Sequence, residues 1–327
     1  MPLISRRPAT LLVSFCFLRL FSVGTAAQVV IEPRIRPTPR VERPDTPPVN
    51  LRVDSSLALI PAHVTTVRGA PVTDLSKENF RLLEDGVEQK ITYFAKDDVP
   101  VSVGLVFDSS SSMHDKKRTV AEAAAAFFRT AAAQDEFFLV QFDERPRLAV
   151  PFTSDSGEIY QRVLHARPFG RTSLLDAVHL ALAQMKTARN PRKALVILSD
   201  GGDNRSRHTF AQIKNELLES DVQVYAMGIF TENPAKPAPE EAEGPHLLDE
   251  LTWGSGGTHF RVDNLQDLPQ VSERLGHDLR DQYVLGYSPS NNVRDGKYRR
   301  VKLDLVLPDK IPLPTVHYRG GYYAPMQ

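Results

Sequence analysis

Cysteine occurs once in the 327 residues, at Cys16. That position lies in an apolar amino-terminal stretch, so a chain trimmed of it has no thiol, no disulfide and no thiolate metal site, and its stability rests on packing. Net charge is equally scarce, with 40 basic residues against 40 acidic ones. Removing a leader that holds Arg6, Arg7 and Arg19 but no acid tips the remainder slightly negative. A surface built for nucleic acid or another polyanion is not implied. The 9 histidines include no two placed four apart with a glutamate between them, which removes the zinc-protease motif. No repeat of solenoid period stands out. Tryptophan occurs once, at Trp253, where packing in a core or between domains is the simplest expectation.

What is present begins with a leader. Arg6 and Arg7 precede an apolar stretch from Ala9 to Leu18, and Thr25-Ala26-Ala27 offers small residues for cleavage before Gln28. This is the pattern of a secretory signal peptide over residues 1–27, which places the mature chain in the periplasm, at the cell surface or outside. A membrane anchor is the alternative, but Arg19 interrupts a run already too short to span a bilayer. Residues 28–50 hold six prolines among charged residues, Pro33, Pro37, Pro39, Pro44, Pro47 and Pro48. Such density blocks helix and sheet pairing and predicts a semi-rigid spacer.

The two ends of the remaining chain both read as antiparallel strands. Phe80 to Glu84 and Val87 to Phe94 flank Asp85-Gly86, a favoured two-residue hairpin connector. Near the other end Val301, Leu303 and Leu305 alternate with Lys302 and Asp304, and Thr315 to Tyr323 forms a last aromatic strand broken by Gly320-Gly321. Neither end alone supplies a core. Residues 51–97 and 283–325 are therefore expected to share one discontinuous β-sandwich domain; two separate small β-modules are the alternative, each short of core.

Between them, residues 98–282 alternate strands and helices, the signature of a doubly wound, mostly parallel α/β sheet. Strands are expected at Val101 to Phe107, Glu136 to Phe142, Leu148 to Phe152, Ala194 to Ser199, Val222 to Gly228 and His259 to Val262. Helices are expected at Lys116 to Ala133, Ser156 to His165, Leu174 to Lys186, Phe210 to Leu218, His246 to Thr252 and Leu268 to Asp281, with a loop from Thr231 to Gly244. The stretch Val101 to Met113 organises the rest: an apolar strand ends abruptly in Asp108 and four serines. In an open α/β sheet the crevice at the carboxyl ends of the strands takes the ligand. There Asp108, Ser110 and Ser112 alternate, another loop offers Thr172, and Asp200 closes a further strand. Two carboxylates and three hydroxyls suit a hard, oxygen-seeking cation such as Mg²⁺ or Mn²⁺.

Asp108-x-Ser110-x-Ser112, then Thr172, then Asp200 at the end of an apolar strand resembles the metal-ion-dependent adhesion site of the von Willebrand factor A family. The stretches from Pro71-Val72-Thr73-Asp74-Leu75 to Asp85-Gly86, Tyr283 to Tyr287 and Gly320-Gly321-Tyr322-Tyr323 are further similar to the VWFA-related group common in acidobacteria. The resemblance implies that Asp108, Ser110, Ser112, Thr172 and Asp200 hold the metal, directly or through water, and that a ligand carboxylate completes its shell. Ser111 departs from the family, which often has glycine there; a positive φ at that position would strain a serine. Asp143 and Asp203 read as solvated turn residues and His114 as a rim histidine. Gly254-Ser255-Gly256-Gly257 lacks the lysine and flanking strand of a phosphate loop.

Two function classes follow. The first is an exported binding or adhesion module that captures a protein or peptide through an acidic group on the metal, without catalysis. The alternative is a metal-assisted hydrolase such as a phosphatase, with the same cation as Lewis acid; no nucleophile and base pair distinguishes itself for it.

Overall fold

Near-continuous apolar runs mark the central strands of one layer, and alternating runs such as Val301, Leu303 and Leu305 mark part of the other. The computed structural model describes residues 57–67, 69–96, 99–230, 239–307 and 314–326. The expected leader and proline-rich spacer lie outside them. In chain order come β1 (Ala58–Thr65), β2 (Phe80–Glu84), β3 (Val87–Gln89) and β4 (Ile91–Lys96). The α/β part follows as β5 (Val101–Asp108), α1 (Lys117–Phe128), β6 (Glu136–Phe142), β7 (Arg147–Thr153), α2 (Ser156–Leu164), α3 (Leu174–Met185), β8 (Arg192–Ser199), α4 (Phe210–Glu219), β9 (Val222–Ile229), α5 (Pro239–Trp253), β10 (His259–Val262) and α6 (Leu268–Asp278). The chain closes with β11 (Gln282–Tyr287), β12 (Tyr298–Leu305), β13 (Thr315–Tyr318) and β14 (Gly321–Tyr323).

The central sheet runs β10-β9-β8-β5-β6-β7. All neighbours are parallel except β7, which folds back antiparallel on β6. Because both faces are covered, β5, β6 and β9 are buried at every residue, which is why they read as unbroken apolar runs. Val120 and Phe127 of α1, Ile159 of α2 and Leu275 of α6 pack on one face. Leu174 and Val178 of α3, Ile213 of α4 and Leu251 of α5 pack on the other. The fold is the expected doubly wound α/β sheet.

The remaining strands form two four-stranded antiparallel sheets, β13-β1-β11-β4 and β14-β12-β2-β3. Each mixes strands from before and after the α/β part. Their inner faces share one core in which Ile60, Ala62 and Leu285 of the first sheet meet Phe80, Leu82 and Leu303 of the second. Glu84, buried between the sheets, accepts hydrogen bonds from Tyr287 Oη at 2.6 Å and Tyr322 Oη at 2.7 Å. The connector Asp85-Gly86 has φ of 47° and 85°, the left-handed pair that a two-residue hairpin turn requires.

Three local expectations change. Helix α1 ends at Phe128 rather than Ala133, because the Thr130 hydroxyl bonds back to the Phe127 carbonyl at 2.7 Å and takes the acceptor that another helical turn would use. Helix α5 starts at Pro239 and absorbs part of the expected loop; proline fits a first helical position because its missing amide would be unpaired there anyway. Trp253 is not core: as the last residue of α5 it points outward and is 87% exposed. No helix among the described residues is long and apolar enough to cross a membrane.

Candidate metal centre

The strand order reverses between β5 and β8. From β5 the chain winds outward through β6, while β8 leads through β9 to β10 in the opposite direction, so a crevice opens between their carboxyl ends. The two strands run in register, Phe107 opposite Leu198, which sets Asp108 beside Ser199 and brings Asp200 close.

Asp108 is fully buried. Its Oδ1 accepts the Ser110 amide at 2.8 Å, and its Oδ2 accepts the Ser199 hydroxyl at 2.6 Å. Ser199 Oγ in turn accepts the Gly201 amide at 3.0 Å. Burial, reinforced by the charge of Asp200, pushes the Asp108 carboxyl up to about 7. The Ser110 and Ser112 hydroxyls lie 3.0 Å apart. Met113, buried under this loop, anchors it in the core. Ser111 lies outside the left-handed region, since Asp85 is the one non-glycine residue with positive φ among the described residues. The serine in place of glycine therefore costs no backbone strain.

Backbone hydrogen bonds lace the Thr172 loop to both neighbours. Phe169 N donates to Ser109 O at 2.9 Å, and Ser111 N donates to Gly170 O at 3.2 Å. On the other side Thr172 N donates to Asn204 Oδ1, and Asn204 N donates to Thr172 O, each at 3.1 Å. Gly170, with φ of 76°, makes the turn that this path needs. Asp200 is buried, and Lys116 Nζ lies 3.6 Å from its Oδ2 and 3.3 Å from Ile229 O. The five expected residues thus stand on three adjacent, mutually bonded loops.

The donor set is all oxygen, two carboxylates and three hydroxyls. Two acids crowded into a buried crevice, with one ammonium beside them, leave negative charge that a divalent ion would offset, so the residues fit a hard cation. Among the described residues no three His, Cys, Asp or Glu side chains form a metal cluster, and a site here depends on its hydroxyls.

Other residues divide differently than expected. Asp203 is no solvated turn residue: its Oδ2 accepts the Leu175 amide at 2.8 Å and the Ser206 hydroxyl at 2.7 Å, capping α3. Asp143 pairs with Arg147 at 2.9 Å. His114 sits exposed at the rim beside Asp115. Gly256 and Gly257 are packing glycines, pressed against Tyr318 and Val224. Sequence reasoning missed Ser199, Lys116 and Asn204. A hydroxyl closing an otherwise apolar strand was the available signal for Ser199; nothing local marked the other two.

Residues 103–202 match the family model of the von Willebrand factor type A domain. The chain is similar to several solved structures. One is the conserved hypothetical protein BatB from Bacteroides thetaiotaomicron, at 16% identity over 55% of this chain and 98% of that chain, with a TM-score of 0.42. Another is the vWF domain of the type V pili tip protein Mfa5 from Porphyromonas gingivalis, at 13% identity over 55% and 94%, with a TM-score of 0.44. A third is a von Willebrand factor type A protein from Catenulispora acidiphila, at 16% identity over 72% and 63%, with a TM-score of 0.47. No curated protein matches the chain.

Proposed function

We propose, from the match of residues 103–202 to the von Willebrand factor type A domain model, that the protein is a binding module that captures a protein or peptide through an acidic group at a divalent cation. Asp108, Ser110, Ser112, Thr172 and Asp200 would hold Mg²⁺ or Mn²⁺. When bound, the ion supplies a coordination position for an incoming carboxylate oxygen. The observation that carries this reading is the fully buried Asp108 carboxylate, set at a strand end with Asp200 beside it and the Ser110 and Ser112 hydroxyls 3.0 Å apart above it.

The protein's own groups favour an anionic ligand. Lys116 already offsets part of the charge of Asp200, and the other three donors are neutral, so a bound ion keeps unneutralised positive charge. Ser199 and Asn204 fix the Asp108 carboxylate and the Thr172 backbone before any ligand arrives, which limits the ordering cost of binding. The leader read over residues 1–27 puts this module outside the cytoplasm, where partners on an envelope or another cell are within reach.

Isothermal titration with Mg²⁺ and Mn²⁺ tests the reading. Wild type binds; Asp108→Ala loses binding; Asp115→Asn, which changes an exposed charge on the same loop, binds as wild type. A wild-type protein that takes up neither ion, with or without an acidic peptide present, overturns it.

A further inference from the structure

The rim of the crevice carries features that the metal site does not use. Phe169 is 72% exposed, although its backbone is among the most firmly held in the crevice: its amide bonds Ser109 O, and the next carbonyl, Gly170 O, accepts the Ser111 amide. An exposed aromatic on a fixed backbone loses little entropy on being covered, which is what an interface anchor requires. Arg167 and Arg171 flank it in sequence, and both are exposed.

The adjoining loops extend this arc. Ser173 N donates to Asp143 O, which ties the β6–β7 turn with Arg145 to the Thr172 loop. Asn204 ties in the loop that carries Arg205 and Arg207. All five arginines are exposed, and none forms an ion pair with another described residue. Of the acids on these same loops, Asp115 bonds His114 at 3.0 Å, Asp143 is paired with Arg147, and Asp203 is turned inward to cap α3, which leaves Glu144. Across the crevice the charge reverses, where Glu243, His246 and Glu250 of α5 line a cavity with Gly201. The exposed guanidiniums therefore outnumber the exposed acids on the loops bonded to the Thr172 loop.

We infer that this arc is the docking surface for the residues flanking the captured acid, and that the partner is an acidic protein segment with an apolar side chain close to its metal-seeking carboxylate. The inference rests on the reading of the crevice as a metal-dependent capture site. Charge complementarity selects the occupant: unpaired guanidiniums attract further acids, and the exposed Phe169 ring adds an apolar contact that a Phe, Leu or Trp side chain on the same segment completes.

Panning a random peptide display library on the wild-type chain in Mg²⁺, with elution first by EDTA and then by acid, tests it. EDTA is expected to release peptides that carry Asp or Glu with Phe, Leu or Trp close by. Labelled copies should bind about tenfold more weakly to Phe169→Ala and to the Arg167→Ser/Arg171→Ser double variant, with unchanged melting because all three side chains are exposed. Peptides that bind both rim variants as well as wild type, yet fail on Asp108→Ala, overturn the docking surface and leave the metal reading standing. Peptides that need the arginines but ignore Phe169, and that heparin displaces, overturn it in favour of a polyanion site. If EDTA releases nothing and Asp108→Ala binds like wild type, the metal reading fails. The acid-eluted peptides then decide the surface by whether they need Phe169 and the arginines.

Discussion

Thr172 and Asn204 hold one another through two hydrogen bonds of 3.1 Å, one from the Thr172 amide to the Asn204 side chain and one from the Asn204 amide to the Thr172 carbonyl. The backbone of Thr172, whose hydroxyl is proposed to hold the metal, is thus positioned by the loop that follows Asp200. Asn204→Ala removes one bond of the pair and leaves the fold intact. Cation affinity should fall about tenfold, the scale on which partners behind a metal ligand act. Titration beside thermal melts separates this from unfolding.

Lys116 gives a prediction of opposite sign. Its ammonium stands 3.6 Å from Asp200, with both side chains largely buried, and it repels any cation that enters. Lys116→Met keeps the length of the side chain and removes the charge, so Mn²⁺ should bind about tenfold more tightly. Electron paramagnetic resonance of free Mn²⁺ reads the change directly. Weaker binding in the variant would show that the lysine supports the site rather than competing for it.

Far from the crevice, Asp278 of α6 predicts a pH dependence. Burial, with the charge of Asp281 adding to it and Arg274 opposing, pushes its carboxyl up to about 6 from 3.8. Between these values the folded state holds the proton and the unfolded state does not, so this group's contribution to stability falls as pH rises and is lowest above about 6. His63, 3.6 Å away, acts in the opposite sense: burial lowers its pKa below 6.5, so its neutral form is favoured and stability rises with pH toward that value. Asp278→Asn removes the first effect alone. Urea unfolding should show the variant more stable than wild type at about pH 7.5, by at most about 3 kcal/mol, and without that advantage near pH 4.

Gly256 predicts how the loop after α5 is tied to the β13 end of the sandwich. It has φ of +82°, and a Cβ there would lie 2.6 Å from Arg319 N and 2.7 Å from the Tyr318 carbonyl carbon. Gly256→Ala therefore meets backbone on two counts, left-handed strain and a clash, and should destabilise by about 2–3 kcal/mol. Chemical denaturation measures it. A loss below about 0.5 kcal/mol would mean that the loop moves away at little cost.

The α/β layer was legible because its strands are buried on both faces: Glu136 to Phe142 reads as continuous strand and is one. The alternation of Val301, Leu303 and Leu305 foretold a half-buried strand in the same way. The crevice residues were legible because hydroxyls and acids closing apolar strands have little structural reason to be there. Other features depend on tertiary neighbours. Asp203 looked like a turn residue, because its partners Leu175 and Ser206 include one 28 positions away. Trp253 looked like core, because tryptophan usually is, and no local pattern shows which way the last residue of a helix faces. Phe169 carried no signal at all, since its exposure results from the Gly170 turn and the bonds to Ser109 and Ser111.

The pairing of Lys96 with Tyr283 in the β4–β11 ladder has a mechanical consequence. These residues are where the chain leaves the sandwich for the parallel sheet and where it returns, so the entire α/β body takes the place of a hairpin loop. Along the chain, a pull applied at the crevice reaches the sandwich at one end of this antiparallel ladder, once the side contacts of Asp278 with His63 and of Arg319 with Asp221 have parted. The load then falls on the rungs one after another, from Lys96–Tyr283 toward Ile91–Tyr287, as in a zipper, instead of on all of them together. Of the strand pairings in the sandwich, the β4–β11 seam is the one expected to yield first under tension, and the α/β body would stay folded on a lengthening tether.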